Sequence, residues 1–104
     1  MKFFYILPGP FRTGFGITID AKNRQKDYTA AWGGEASFSH IYKGPAPFID
    51  RLEGIIKIQY KEMLWTPDDV WVAEWLDNKW TADQLAEFVE QIILQRHYPI
   101  IRIK

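Results

Sequence analysis

Hydrophobic and polar positions along this chain change their period several times, and each change marks an element. Residues 2–7 (KFFYIL) are aromatic and aliphatic without a breaker, the make-up of a buried strand. The stretch 8–14 (PGPFRTG) carries Pro/Gly turn chemistry, and 15–19 (FGITI) resumes strand character, which predicts an antiparallel hairpin. In its second strand Phe15, Ile17 and Ile19 alternate with Gly14, Gly16 and Thr18, so one face is bulky and the other nearly bare. A bare strand face lets another backbone or a ligand approach closely.

Helical spacing follows. Asp20 is placed to cap a helix over 21–31, its carboxylate accepting from first-turn amides, and Arg24 and Tyr28, four apart, share one face of it. WGGE at 32–35 closes that helix with glycines, and 36–43 (ASFSHIYK) reads as a third strand with Phe38, His40 and Tyr42 on one side. From 47 to 63 apolar residues recur at 49, 52, 56, 60 and 63, a helical stripe with Glu53 at its edge and Lys57 one turn on. Residues 64–69 read as a turn and the Val/Trp-rich 70–76 (VWVAEWL) as a strand. The last helix has the clearest local signals: a Thr81/Gln84 capping box, a Trp80/Leu85 staple, a core face of Leu85, Phe88, Val89, Ile92 and either Ile93 or Leu94, and Pro99 as a stop. Residues 100–103 (IIRI) are suited to a final strand. The order ββαβαβα, with a C-terminal β, predicts an α+β fold: a small, mainly antiparallel sheet with helices packed on it.

Composition narrows the function classes. A chain of 104 residues is expected to form one domain over 1–104, and 47% apolar residues with five Trp are far too hydrophobic for disorder. Without Cys there is no disulfide framework, thiolate nucleophile or Cys-based zinc site, and two His, His40 and His97, do not build a zinc centre alone. Pro8, Gly9 and Pro10 interrupt the N-terminal apolar run well short of a signal peptide, and no stretch approaches the roughly 20 apolar residues of a membrane span. A soluble cytoplasmic protein is expected. The net charge of zero argues against bulk electrostatic coating of nucleic acid. It is unevenly spread, however: residues 1–63 hold nine Lys/Arg against six Asp/Glu (+3), and 64–104 hold four against seven (−3).

Four spaced elements carry the candidate chemistry: Phe4-Tyr5-Ile6, Gly14-Phe15-Gly16-Ile17-Thr18, Arg24 with Tyr28 behind it, and Glu53. In this order they resemble the GIY-YIG endonuclease superfamily, particularly its compact branch, common in phages, whose second motif reads like KIGIT. Tyr5 matches the Tyr of the first motif and Gly16 the Gly of the second. Arg24 falls eight residues later, at the place of the family's catalytic Arg, and Tyr28 fills the His/Tyr slot one helical turn on. Glu53 matches the helix-borne Glu, and Glu74-Trp75-Leu76 looks like the EWF element before the last helix. Two departures fall in the motifs: Phe3-Phe4 replaces Gly-Ile, and Gly14 stands where most members place a Tyr or Lys that helps activate water.

The resemblance implies hydrolysis of a DNA phosphodiester with one divalent metal, Mg²⁺ or alternatively Mn²⁺. It implies Glu53 as the metal ligand, Arg24 as the grip on the scissile phosphate, and Gly14, Gly16 and Thr18 as the platform under the substrate. Tyr5, with His40 or Tyr28, would orient or deprotonate water. The fork of an Arg side chain suits two phosphate oxygens, and one carboxylate with retained waters suits Mg²⁺.

Taken singly, each residue has an ordinary alternative. Tyr5 suits a core aromatic, the glycines hairpin geometry, His40 a structural role, and Glu53 a pair with Lys57. Glu74 reads as a second metal ligand, a helix cap or a surface partner, and Trp32 or Trp65, if exposed, as a base-stacking surface. The rival expectations are a non-catalytic descendant that binds nucleic acid or a host protein, and an interaction module in which Tyr5, Arg24 and Glu53 do not converge. A protein partner or a homodimer would supply the contacts that a separate DNA-reading domain supplies in fused members.

Overall fold

The computed structural model describes residues 1–9, 13–32, 37–60, 64–65, 74–76 and 81–104. Strands β1 (Lys2–Pro8) and β2 (Thr13–Thr18) are followed by α1 (Ala21–Trp32), β3 (His40–Gly44), α2 (Ala46–Gln59), β4 (Leu64–Trp65), β5 (Glu74–Leu76), α3 (Ala82–Arg96) and β6 (Ile101–Arg102). The six strands form one sheet in the order β4-β5-β2-β1-β3-β6, and every pairing is antiparallel. The fold is α+β. No helix among the described residues is long and apolar enough to cross a membrane.

Strand alternation divides β1 between two cores. Phe4 and Ile6 point to one face and join Phe15, Tyr42, the α2 residues Ile49, Leu52 and Ile56, and the α3 residues Leu85, Val89 and Ile92. Tyr5 and Leu7 point to the other face, where they pack with Tyr28 of α1 and with Phe38. Two helices therefore cover one face of the sheet and α1 covers the other. The bulky-against-bare reading of β2 holds: Phe15 enters the two-helix core, while Gly14 and Gly16 sit opposite Leu7 and Tyr5 on the α1 face.

The helix signals operate as read. Asp20 Oδ1 accepts from Asn23 N at 3.0 Å, and the Thr81/Gln84 capping box is fully formed. Ile93 packs toward the core while Leu94 is exposed. Helix α3 ends at His97, which adopts the left-handed φ of 54°, before Pro99 is reached.

Four expectations need correction. The hairpin ladder runs further than read, to Pro8↔Thr13, because a Pro at the end of a strand still leaves its carbonyl side to pair. Helix α2 stops at Gln59 with Tyr60 as its cap, and 61–63 lie outside the described residues. Leu64 and Trp65, read as a turn, pair antiparallel with β5, a partner distant in sequence that no local signal reveals. Finally, β3 begins only at His40, so the alternation does not extend back to Phe38. Phe38 packs on the α1 face, while His40 and Tyr42 face α3. The glycine closure at 33–35, the 70–73 part of the fifth strand and the Trp80 half of the staple lie outside the described residues.

Candidate functional site: two tyrosines, an arginine and a glutamate

Tyr5 stands opposite Gly16 in the β1–β2 ladder. A Cβ on Gly16 would lie 2.7 Å from Tyr5 Cζ and closer still to the hydroxyl, so the phenol occupies the space that the glycine leaves. The Tyr5 ring stacks on Phe38 with centroids 4.3 Å apart and meets Tyr28 edge-on at 6.0 Å. The two hydroxyls share a buried hydrogen bond of 2.8 Å. Gly16 is thus required by close approach, but what approaches is this protein's own tyrosine.

Tyr5 and Tyr28 are 1% and 2% exposed. Burial raises the Tyr5 pKa far above 10.0, the Tyr28 ring and hydrogen bond add to the rise, and the Arg24 charge offsets part of it while Glu53 adds to it. Tyr28 is likewise raised by burial, against the lowering effects of the Tyr5 hydrogen bond and Arg24. Both phenols therefore stay protonated at neutral pH. The expected deprotonation of water by Tyr5 or Tyr28 is corrected: the pair can orient and donate, but burial outweighs Arg24 and withholds a phenolate.

The charges of the other two residues reach the pair to different degrees. Arg24, half-buried on the first turns of α1, acts on both hydroxyls, and Glu53 of α2 acts on Tyr5. Tyr5, Tyr28 and Arg24 therefore gather on the α1 face of the sheet, whereas Glu53 belongs to α2, which covers the opposite face, and its charge is the smallest of the effects on Tyr5. The Arg24 guanidinium has no carboxylate within 4.0 Å among the described residues. The Glu53 side chain is 16% exposed and pairs with Lys57 Nζ at 3.3 Å, one helical turn on.

His40 does not join them. It lies on the opposite face of the sheet from Tyr5, 6% exposed, with Nδ1 2.7 Å from Ser39 Oγ, Nε2 3.8 Å from Asp83 Oδ1 and its ring parallel to Tyr42. Burial and Arg102 lower its pKa, against Asp83 and Glu90. Thr18 is also otherwise engaged: its hydroxyl donates to Asp20 O and accepts from Asp20 N, turning the chain into α1. Gly14 is buried between β1 and β5, at the register position of Trp75. The side chains of Trp32, Trp65 and Glu74 lie outside the described residues.

Sequence reasoning missed two supports of the pair. Phe38 stacks on Tyr5, and Gln25 Oε1 accepts from Phe38 N at 3.1 Å, tying the segment before β3 to α1. An apolar residue just ahead of a strand is the only local trace of the first, and nothing local marks the second.

No group of three or more His, Asp or Glu able to hold a metal exists among the described residues. Glu53 offers a partly buried carboxylate on α2, across the sheet from Tyr5. One carboxylate is compatible with Mg²⁺, which retains several waters, provided that Lys57 gives way. Comparison with protein-family models, with curated proteins and with solved structures returns no match.

Proposed function

We propose that this chain is a GIY-YIG-like endonuclease that hydrolyses DNA phosphodiester bonds with one divalent metal, Mg²⁺ or Mn²⁺. The observation that carries the reading is the buried Tyr5–Tyr28 hydroxyl pair with the Arg24 charge beside it, at the positions the resemblance assigns, while Glu53 of α2 stands across the sheet from them. Arg24, without a carboxylate partner among the described residues, grips the scissile phosphate with its planar fork. The neutral Tyr5–Tyr28 pair keeps the floor beneath Arg24 dry and polarised, and orients by hydrogen bonding. Glu53 is the side chain that would hold the metal, releasing Lys57 as it does so. A bound divalent cation supplies Lewis-acid stabilisation of the leaving oxygen.

The test is nicking of supercoiled plasmid with Mg²⁺ or Mn²⁺, beside EDTA, Glu53→Ala and Arg24→Ala. Metal-dependent nicking that both variants lose supports the reading. Nicking at the wild-type rate by both folded variants overturns it.

A second reading is a non-catalytic descendant that binds nucleic acid or a protein. Gly14 in place of an activating Tyr or Lys favours it, as does a Glu53 carboxylate already paired with Lys57. No nicking by folded wild-type protein, together with a salt-dependent DNA affinity, would select it in its nucleic-acid form.

A further inference from the structure

The flank of α1 away from Arg24 carries a second feature. Adjacent helical residues are turned about 100° apart, so Gln25 and Arg24 serve different sides of α1. On the Gln25 side a groove of about 570 Å³ opens between α1 and the sheet, with apolar walls from Phe3, Ile19, Ala21 and Ile41 and with Lys22 and Gln25 on its rim. Phe3 lies on the α1 face beside Thr18 and Lys43, and Lys43 Nζ sits 5.9 Å from the Phe3 ring centroid.

Three lysines, Lys22, Lys26 and Lys43, stand near this groove. Lys2, Lys57 and Arg102 are paired with Asp50, Glu53 and Glu90 at 2.8, 3.3 and 3.7 Å, all on β1, α2, α3 or β6. Among the described residues Lys22, Lys26 and Lys43 have no ion pair. Lys22 and Lys26 are one helical turn apart on α1, and Lys43 stands on the sheet below. The one acid lining the groove, Asp20, has Oδ1 committed to the α1 amide of Asn23. Arg24, Arg51, Arg96 and Lys104 also have no ion pair among the described residues, so what marks this groove is three lysines without one around an aromatic floor.

We propose that this groove binds single-stranded DNA, with one unstacked base on Phe3 and the flanking phosphates on Lys22, Lys26 and Lys43. Only the choice of DNA over RNA rests on the endonuclease reading. Charge complementarity selects a polyanion, and the apolar slot over an aromatic ring selects one with exposed flat bases. A duplex keeps its bases stacked inside and a polyacidic peptide has none to offer.

Fluorescence anisotropy in EDTA, where no cutting occurs, tests this with a labelled oligothymidylate, its duplex with oligoadenylate, an oligouridylate and polyglutamate. Oligothymidylate is expected to bind tightest. Phe3→Leu, checked for native circular dichroism, is expected to weaken it about fivefold or more. Replacing both Lys22 and Lys43 by Gln, at exposed or half-buried positions, is expected to flatten the log K against log salt slope by about 1.4. Equal or tighter binding of duplex, oligouridylate or polyglutamate overturns the proposal, as does an unchanged affinity in folded Phe3→Leu or an unchanged slope in the lysine variant. Oligothymidylate binding by protein that fails to nick plasmid would leave this site standing and remove the endonuclease reading.

Discussion

The hydroxyls of Tyr5 and Tyr28 meet at 2.8 Å beneath α1, and this one bond joins the first strand to the first helix across 23 positions of sequence. Among the described residues no buried side-chain polar atom lacks a partner. Removing one end of this bond should therefore be worse than removing both. Tyr28→Phe strands the Tyr5 hydroxyl and is expected to destabilise by about 1–3 kcal/mol. The double Phe variant is expected to fall short of the sum of the two single changes. Urea unfolding of the four proteins in a double-mutant cycle measures this, and strict additivity would show that the bond contributes nothing specific.

Gly16 carries its own prediction. An added methyl would run into the Tyr5 phenol, with Cζ at 2.7 Å, so Gly16→Ala is expected to cost about 1–3 kcal/mol despite the better strand propensity of Ala. In a Tyr5→Leu background, which removes the phenol, the added cost of Gly16→Ala should largely disappear. A penalty of the same size in both backgrounds would place the conflict elsewhere.

Alkaline pH should act through the tyrosines. Burial raises Tyr5, Tyr28, Tyr42 and Tyr60 above the unfolded value of 10.0, and Glu90 adds to the rise at Tyr42. A phenol with a raised folded pKa keeps its full stabilising contribution below the unfolded pKa and loses it as pH climbs toward the folded one. Stability should thus be flat up to about pH 10 and then fall by up to about 1.4 kcal/mol per pH unit for each such group. Phenolate absorbance should lag behind a free-tyrosine titration and appear with unfolding. Rapid ionisation of these phenols in still-folded protein would contradict the burial.

His40 provides the opposite sign. Its folded pKa is held below 6.5, first by burial and then by Arg102, so the neutral ring stabilises the fold fully above pH 6.5 and progressively less as pH falls through the folded value. His40→Gln is expected to reduce that acid-side slope. Because the His40 ring is engaged by Ser39 and faces Asp83 of α3, the same variant should nick plasmid at the wild-type rate if the chain is a nuclease. Loss of nicking with the fold intact would return His40 to the catalytic group.

Lys57 competes with a metal for Glu53. Lys57→Met removes the ammonium 3.3 Å from the carboxylate, and half-maximal nicking should then need several-fold less Mg²⁺, at a stability cost near that of an i,i+4 pair, about 0.3–0.5 kcal/mol. An unchanged metal requirement would exclude Glu53 as the ligand.

Much of this architecture was legible because the forces that set it act over a few residues. The capping box closes between Thr81 and Gln84, the Asp20 cap between that residue and Asn23, and the alternation of Phe15 and Ile17 with Gly14 and Gly16 follows from the pleat. Where the reading failed, the deciding partner was remote. Phe38 was assigned to the face of His40 and Tyr42 because strand parity was carried back through Ser39. That parity breaks where Ser39 N turns to bond Ile6 O, and Phe38 drops onto Tyr5 instead. Leu64 and Trp65 look like turn residues until β5 is set beside them.

The sequence by itself determined the α+β class, the hairpin, three helices and the apolar stripes, since hydrogen-bonding reach and side-chain periodicity are properties of neighbouring residues. It also named Tyr5, Arg24, Tyr28 and Glu53 together. Only the tertiary structure decided that Tyr5, Tyr28 and Arg24 lie together under α1, that the sheet stands between them and both His40 and Glu53, and that burial keeps both phenols protonated. Desolvation and charge coupling depend on what surrounds a side chain in space, and that neighbourhood is assembled from residues 20 to 50 positions apart, a separation at which no sequence period survives.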